Sequence, residues 1–212
     1  MMKAIYTNYG KRFLDIIGAS TLLITLSPVI LLSAIAVKFS MGKPILHKPK
    51  RPGKNTEIFT MYKFRTMTND KDDEGNLLPD VERITKTGRF MRKTSLDELP
   101  ELYNILKGEM SFVGPRPLSV KYIPYYNNHE NKRHKVRPGL TGYAQVNGRN
   151  NLSWEERFEK DIYYVNNMSF LLDLKIIINT IFVTLSRKDI ITRGTGKLED
   201  FHIYRMKNKK RD

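Results

Sequence analysis

The sequence predicts a compact, helix-rich α/β domain (helices with a few short strands) carried on an N-terminal helical anchor. Three observations lead there: an almost unbroken apolar run from Phe13 to Val37, a helical apolar period from Leu96 to Met110, and β-type patterning confined to a short stretch around residues 57–67. A chain of 212 residues suits one domain of ordinary size plus an anchor rather than two independent cores. Its 37 Lys and Arg against 22 Asp and Glu leave a formal charge of +15, which makes nucleic acid, anionic lipid and phosphorylated metabolites the natural partners. With no cysteine, disulfides and thiolate catalysis are excluded. The histidines, His47, His129, His134 and His202, form neither a paired helical motif nor a zinc-like cluster, which argues against a histidine metal site or triad.

Taken in order, the first element is the anchor. As a helix, Phe13 to Val37 would be about 37 Å long at about 1.5 Å per residue, enough for a hydrocarbon core of about 30 Å. Pro28, after Ser27, falls at its middle, where the ring removes a backbone hydrogen bond and forces a bend. Both flanks are basic, with Lys3, Lys11 and Arg12 before and Lys38, Lys43, Lys48, Lys50 and Arg51 after, so both ends are expected on the cytoplasmic face. A helix that enters, breaks at Ser27-Pro28 and returns meets both conditions, and Ser27 is available to a carbonyl freed by the bend. A tilted, kinked single span is the alternative. No small-residue cleavage pattern follows, so the segment reads as retained rather than as a signal peptide. The boundaries are 1–40 for the anchor, 41–204 for the main domain and 205–212 for a basic, disordered tail.

Lys43 to Lys54 is basic and broken by Pro44, Pro49, Pro52 and Gly53, too interrupted for a helix and suited to anionic headgroups. Glu57 to Met67 reads as a strand or hairpin arm, on which Lys63 and Arg65, two apart, share a face as a pair of phosphate ligands. Thr68 to Thr87 is expected to be a mobile polar loop. Asp70, Asp72 and Glu74 imitate a calcium loop, but Val81 stands where the bidentate glutamate is required, so calcium is rejected.

The Leu96, Leu99, Leu102, Leu106 and Met110 spacing predicts a helix starting between Ser95 and Asp97, with Pro100 in its first turn and Gly108 as its stop. Ser95 and Glu98 match a capping box there. Yet Asp97 and Glu98 stand side by side among Arg92, Lys93 and Arg116, and Pro115 and Pro117 stiffen the backbone on either side of Arg116. Adjacent carboxylates resist identical use, so one can act as nucleophile or base while the other holds a divalent cation such as Mg²⁺. The turn-rich Arg137-Pro138-Gly139 and the donor-rich run containing Gln145 and Arg149 suit a phosphate or a nucleobase. Farther on, Trp154 to Tyr164 reads as an amphipathic surface helix, and Phe170 to Leu185 as a core or interfacial helix.

Several ordered runs resemble the bacterial sugar transferases, specifically the small monotopic phosphoglycosyl transferases. They are Lys11-Arg12-Phe13-Leu14-Asp15, the Ser27-Pro28 break, Tyr62 to Met67, Ser95 to Leu99, Met110 to Pro117, Arg137-Pro138-Gly139 and Gln145 to Arg149. The resemblance implies a re-entrant helix in the bacterial inner membrane, a catalytic domain on its cytoplasmic face, and transfer of a sugar 1-phosphate from a UDP-sugar to polyprenyl phosphate with release of UMP. It makes Asp97 the nucleophile and Glu98 the Mg²⁺ ligand. It sets Lys63, Arg92, Pro115, Arg116, Gln145 and Arg149 around an anionic site, with Asp173 a further acid near it. The short chain resembles members that use N-acetylated amino sugars. The chain departs from the pattern at Pro49, where a glutamine is frequent. Nucleic acid is not expected as a partner. The competing function is a membrane-tethered basic module that binds anionic lipid or nucleic acid without chemistry.

Overall fold

The computed structural model describes residues 2–148, 152–185 and 199–208. Helix α1 (Met2–Ile5) passes through a wider π turn at Tyr6–Gly10 into α2 (Lys11–Thr25), and α3 (Ser27–Met41) follows. The break falls at Leu26, with φ −93° and ψ 5°, one residue before the Ser27-Pro28 pair that the sequence singled out. Pro28 lies in the first turn of α3, where its missing N–H orphans nothing. The Ser27 hydroxyl donates to the Ile24 carbonyl at 2.8 Å, the service expected of it. The two arms are bent by 63°. Among the described residues no single helix is long and apolar enough to cross a membrane, whereas the bent pair together has the length and composition.

The anchor is built into the body. Arg12 donates to the Ile105 and Leu106 carbonyls at 2.6 and 2.7 Å. Asp15, only 3 % exposed, accepts from the Ser111 hydroxyl and the Phe112 N–H, both at 3.0 Å. Ala19 is buried with Leu102, Ile105 and Met110 in one apolar cluster. These are contacts of a core, where a segment merely tethered in lipid would have none.

The broken basic stretch supplies strands. β1 (Leu46–His47) and β2 (Lys50–Pro52) pair antiparallel with β4 (Lys63–Phe64) and β3 (Ile58–Thr60) respectively. β5 (Ser111–Val113) lies parallel to β6 (Gly139–Thr141). Two glycines permit that pairing to continue into the proline turns: a Cβ on Gly139 would lie 2.1 Å from the Gly114 nitrogen, and one on Gly114 would lie 2.4 Å from the Arg137 oxygen. Backbone touches backbone, which is why two glycine-proline turns far apart in sequence occur together.

The polar segment 68–87 is more ordered than expected. Met67 bridges Ile84 and Lys71 bridges Leu77. In α4 (Asp80–Arg83), the buried Arg83 turns inward and donates to Leu78, Thr68 and Asp80, giving the loop a polar centre. Next comes α5 (Lys86–Thr94), started by the Thr85 side chain accepting from Gly88, and then α6 (Glu101–Lys107). After the short α7 (Tyr143–Val146), helix α8 (Trp154–Asn167) opens with a Ser153–Glu156 capping box and buries Trp154, Phe158, Asp161, Ile162 and Tyr164. Helix α9 (Phe170–Leu185) buries Asp173 and Ile176 but exposes Leu171, Ile178, Ile181 and Phe182, the pattern of an interfacial helix.

The expected disordered tail is corrected in its first part. Arg205 and Lys207 belong to α10 (Phe201–Asn208), which is fastened by the fully buried Phe201 and by an ion pair from Arg205 to Glu130. Residues 209–212 lie outside the described residues.

Candidate active site

The acid pair sits differently from its expected helix cap. Ser95 adopts a left-handed conformation, φ 58° and ψ 16°, Leu96–Glu98 form a single 3₁₀ turn, and α6 begins at Glu101 with Pro100 as its N-cap. The Ser95 side chain caps nothing, so the Ser95–Glu98 capping box is not formed. The reason is the ion pairing of Glu98: its Oε1 accepts from Lys63 Nζ and from the Arg116 guanidinium, each at 2.6 Å. Lys63 Nζ also lies 3.0 Å from Oε1 of Glu101, a residue 2 % exposed that the sequence reading missed. No local signal marked it: Glu101 is the first residue of α6, and its burial against Lys63 depends on tertiary packing.

The two acids are electrostatically unequal. Burial raises the proton affinity of Glu98, but Arg116 and Lys63 outweigh it and hold that carboxyl well below its usual range. Asp97 is 9 % exposed, and burial followed by the charge of Glu98 pushes its pKa up, with Lys63, Arg116 and Arg92 offsetting in part. Among the described residues the Asp97 carboxylate makes no hydrogen bond or ion pair. One acid is clamped and the other is left available.

Distant elements deliver the cations. Lys63 comes from β4. Arg116 follows the β5 turn, where Pro115 accepts from the Gly139 N–H at 3.1 Å and the Arg116 carbonyl itself accepts from Arg133 at 2.8 Å. Arg92, at the end of α5, donates to the Thr66 hydroxyl at 2.9 Å. Gln145 donates through its amide nitrogen to the Leu140 carbonyl at 3.2 Å, and its buried Oε1 has no hydrogen-bond partner among the described residues. Two expected residues are elsewhere. Strand β4 ends at Phe64, so the alternation that paired Arg65 with Lys63 does not apply; Arg65 turns away to the carbonyls of Met41 and Lys43. Asp173 accepts from Tyr6, Lys11 and Tyr164, a set that shares no member with the acid pair. Arg149 lies outside the described residues.

A cleft of about 900 Å³ runs past these groups. Its apolar lining includes Leu14, Gly18, Leu22 and Leu26, at four-residue spacing along the anchor, and Ile177 and Ile181 of α9. Its polar lining includes Arg92, Lys93, Arg116, Arg133 and Arg157 together with Glu98, Asp161 and Gln145. Asp97 adjoins Glu98 in the chain without itself lining the cleft. Two adjacent carboxylates beside a cationic cleft are a donor set that Mg²⁺ accepts, one or two carboxylates being completed by substrate phosphate and water. The Glu98 Oε2 stands outside both of the bonds made by Oε1. The described residues contain no group of three or more acids or histidines that would hold a metal on protein ligands alone.

Cationic and apolar side chains lining one cleft suit a ligand that carries both phosphate and an apolar part. The chain belongs to the bacterial sugar transferase family, whose profile matches residues 6–187. It is 50 % identical over 184 residues to the uncharacterized sugar transferase EpsL of Bacillus subtilis, covering 87 % of this chain and 89 % of that one. It is 42 % identical over 196 residues to the exopolysaccharide production protein ExoY of Sinorhizobium fredii, covering 84 % and 87 %. A third relative, the UDP-glucose:undecaprenyl-phosphate glucose-1-phosphate transferase of Klebsiella pneumoniae, is 41 % identical over 182 residues, 81 % of this chain but 39 % of that protein.

Proposed function

We propose that the protein transfers a sugar 1-phosphate from a UDP-sugar to polyprenyl (undecaprenyl) phosphate, releasing UMP, as the first membrane step of polysaccharide assembly. The observation that carries this reading is the inequality of two adjacent acids beside a cleft lined by both cationic and apolar side chains. An Asp97 oxygen attacks the sugar-bearing phosphorus, the bond from that phosphorus to the bridging oxygen breaks, and its electron pair leaves on UMP. A lipid phosphate oxygen then attacks the same phosphorus and the Asp97 carboxylate departs. Every bond broken is at phosphorus, so the anomeric centre is untouched.

A carboxylate needs no general base for this attack. The pairing of Glu98 with Lys63 and Arg116 keeps it from competing as nucleophile, while the cations of the cleft offset charge on the transferring group. Glu98 is the residue that would hold Mg²⁺, which when bound neutralises phosphoryl charge. The orphaned Gln145 Oε1 suits a sugar hydroxyl or a nucleobase N–H. The exposed apolar faces of α2, α3 and α9 enter the cytoplasmic leaflet of the inner membrane, and Lys43, Lys48 and Lys50 meet anionic headgroups. Relatives include a glucose-1-phosphate transferase and a galactosyl transferase, so the donor panel sets those sugars beside N-acetylated amino sugars. The test is nucleotide release by purified protein with polyprenyl phosphate, Mg²⁺ and that panel. UMP is the expected product; UDP would show transfer of the sugar alone. Salt-sensitive polyanion binding without any turnover would leave the basic binding module.

A further inference from the structure

Arg133, in the 3₁₀ segment Glu130–Lys135, is a charged side chain that folding takes almost wholly out of water. Its Nε and Nη2 donate to Oδ2 of Asp161 on α8, at 3.0 and 2.8 Å, and Nη2 also donates to the Arg116 carbonyl at 2.8 Å. The guanidinium lies 5.8 Å from the Tyr126 ring centroid and 5.7 Å from that of Phe158. Those two rings are held in turn by the fully buried Phe201 of α10, with centroids 5.3 and 5.0 Å from its own. A planar fork clamped on one carboxylate and seated against two packed rings has its direction fixed.

Its direction is toward the backbone of Arg116. The Arg116 side chain is 41 % exposed, so burial does not hold it, yet it meets Glu98 Oε1 at 2.6 Å. The backbone is tied at two successive carbonyls: that of Pro115 accepts from the Gly139 N–H at 3.1 Å, and that of Arg116 accepts from Arg133. Pro117 keeps Arg116 out of helical backbone but leaves a range of extended forms open. A charged donor on the Arg116 carbonyl selects within that range, and so sets the direction in which the side chain leaves the turn.

We infer that Arg133 is a positioning residue, which acts through the Arg116 peptide to aim the Arg116 guanidinium at Glu98 and at a substrate phosphate in the cleft. The inference rests on the proposed transfer reaction, so its test includes an arm without turnover. Arg133→Lys keeps a charge beside Asp161, but a single ammonium cannot reproduce the fork that reaches both Asp161 and the Arg116 carbonyl. It should lower kcat/KM for UMP release by at least about tenfold, the scale on which small misplacements act. In an Arg116→Ala background the same change should have little further effect, because a residue acting through Arg116 has nothing left to act on. An equal fall in both backgrounds would show a separate substrate contact or a general packing role, and would overturn the inference, as would unchanged turnover. The arm without turnover is NMR of the full-length protein with isotope-labelled arginine. The Arg116 Nε–H resonance, identified by its loss in Arg116→Ala, should shift and broaden in Arg133→Lys; a resonance that stays at the wild-type position would overturn the inference. If Arg133→Lys fails to fold, Arg133→Met combined with Asp161→Leu replaces the buried pair by apolar side chains and is carried through both measurements. Absence of turnover in the wild type would defeat the transfer reading, and the resonance would still decide on Arg133.

Discussion

Asp97 and Asp173 are both buried acids near the start of a helix, 9 % and 4 % exposed, and their surroundings make them opposites. Asp173 has both oxygens occupied: Oδ2 accepts from the Tyr6 hydroxyl and Lys11, and Oδ1 from the Tyr164 hydroxyl at 2.8 Å. Asp97 has cations near it and no bond to any described residue. A buried carboxylate with a saturated partner set fastens elements together, here the N-terminal helix, α8 and α9. One that is buried, near positive charge and uncommitted is available for chemistry. The resemblance grouped both acids at the anionic site, whereas their partners separate them.

Four substitutions probe that contrast. Asp97→Asn, nearly isosteric, should lower UMP release by at least about 10³-fold with melting behaviour unchanged, since a nucleophile is lost and no bond to a described residue is broken. Full release would return Asp97 to a packing role. Asp173→Ala leaves Lys11 buried without its partner and should cost about 3 kcal/mol in denaturant unfolding. Turnover by the fraction that stays folded should persist; lost turnover at full stability would erase the contrast. The third concerns Glu101, which burial and then the charge of Glu98 push up to about 7 from 4.5. A folded pKa above the unfolded one gives stability that is complete below about pH 4.5 and disappears as pH rises through about 7. Glu101→Gln should therefore gain on wild type in melting temperature across that interval; a gap independent of pH would sink the assignment. Ser95→Ala should change stability by less than about 0.5 kcal/mol, because its hydroxyl caps nothing. A loss of about 1 kcal/mol would restore the capping box.

Much of the site was legible where chemistry and short-range geometry coincide. The acid pair, the proline-flanked Arg116 and the basic Lys63 were all singled out, and the structure joins Glu98 to both cations. The bend was legible because proline acts through its own ring. What was not legible depends on partners distant in sequence. Arg133 and Asp161 look like ordinary surface charges on a basic stretch and an amphipathic helix, and only tertiary folding makes them a buried pair. Ser95 followed by Glu98 satisfies a local pattern, but Lys63 and Arg116 compete for the glutamate and win. Strand alternation failed at Arg65 because the strand is two residues long. The basic tail looked disordered because the aromatic pocket for Phe201 is assembled from Tyr122, Trp154 and Phe158, which no local window contains.

The bonds from Arg12 and Asp15 into the body bear on how the protein can be handled. A version cut before residue 41 would leave two carbonyls at the end of α6 and the Ser111–Phe112 edge without donors or acceptors, and would open a hole where Ala19 sits. Such shortening would also remove Leu14, Gly18, Leu22 and Leu26 from the lining of the cleft. A preparation that retains residues 1–41 is the one that keeps the site intact.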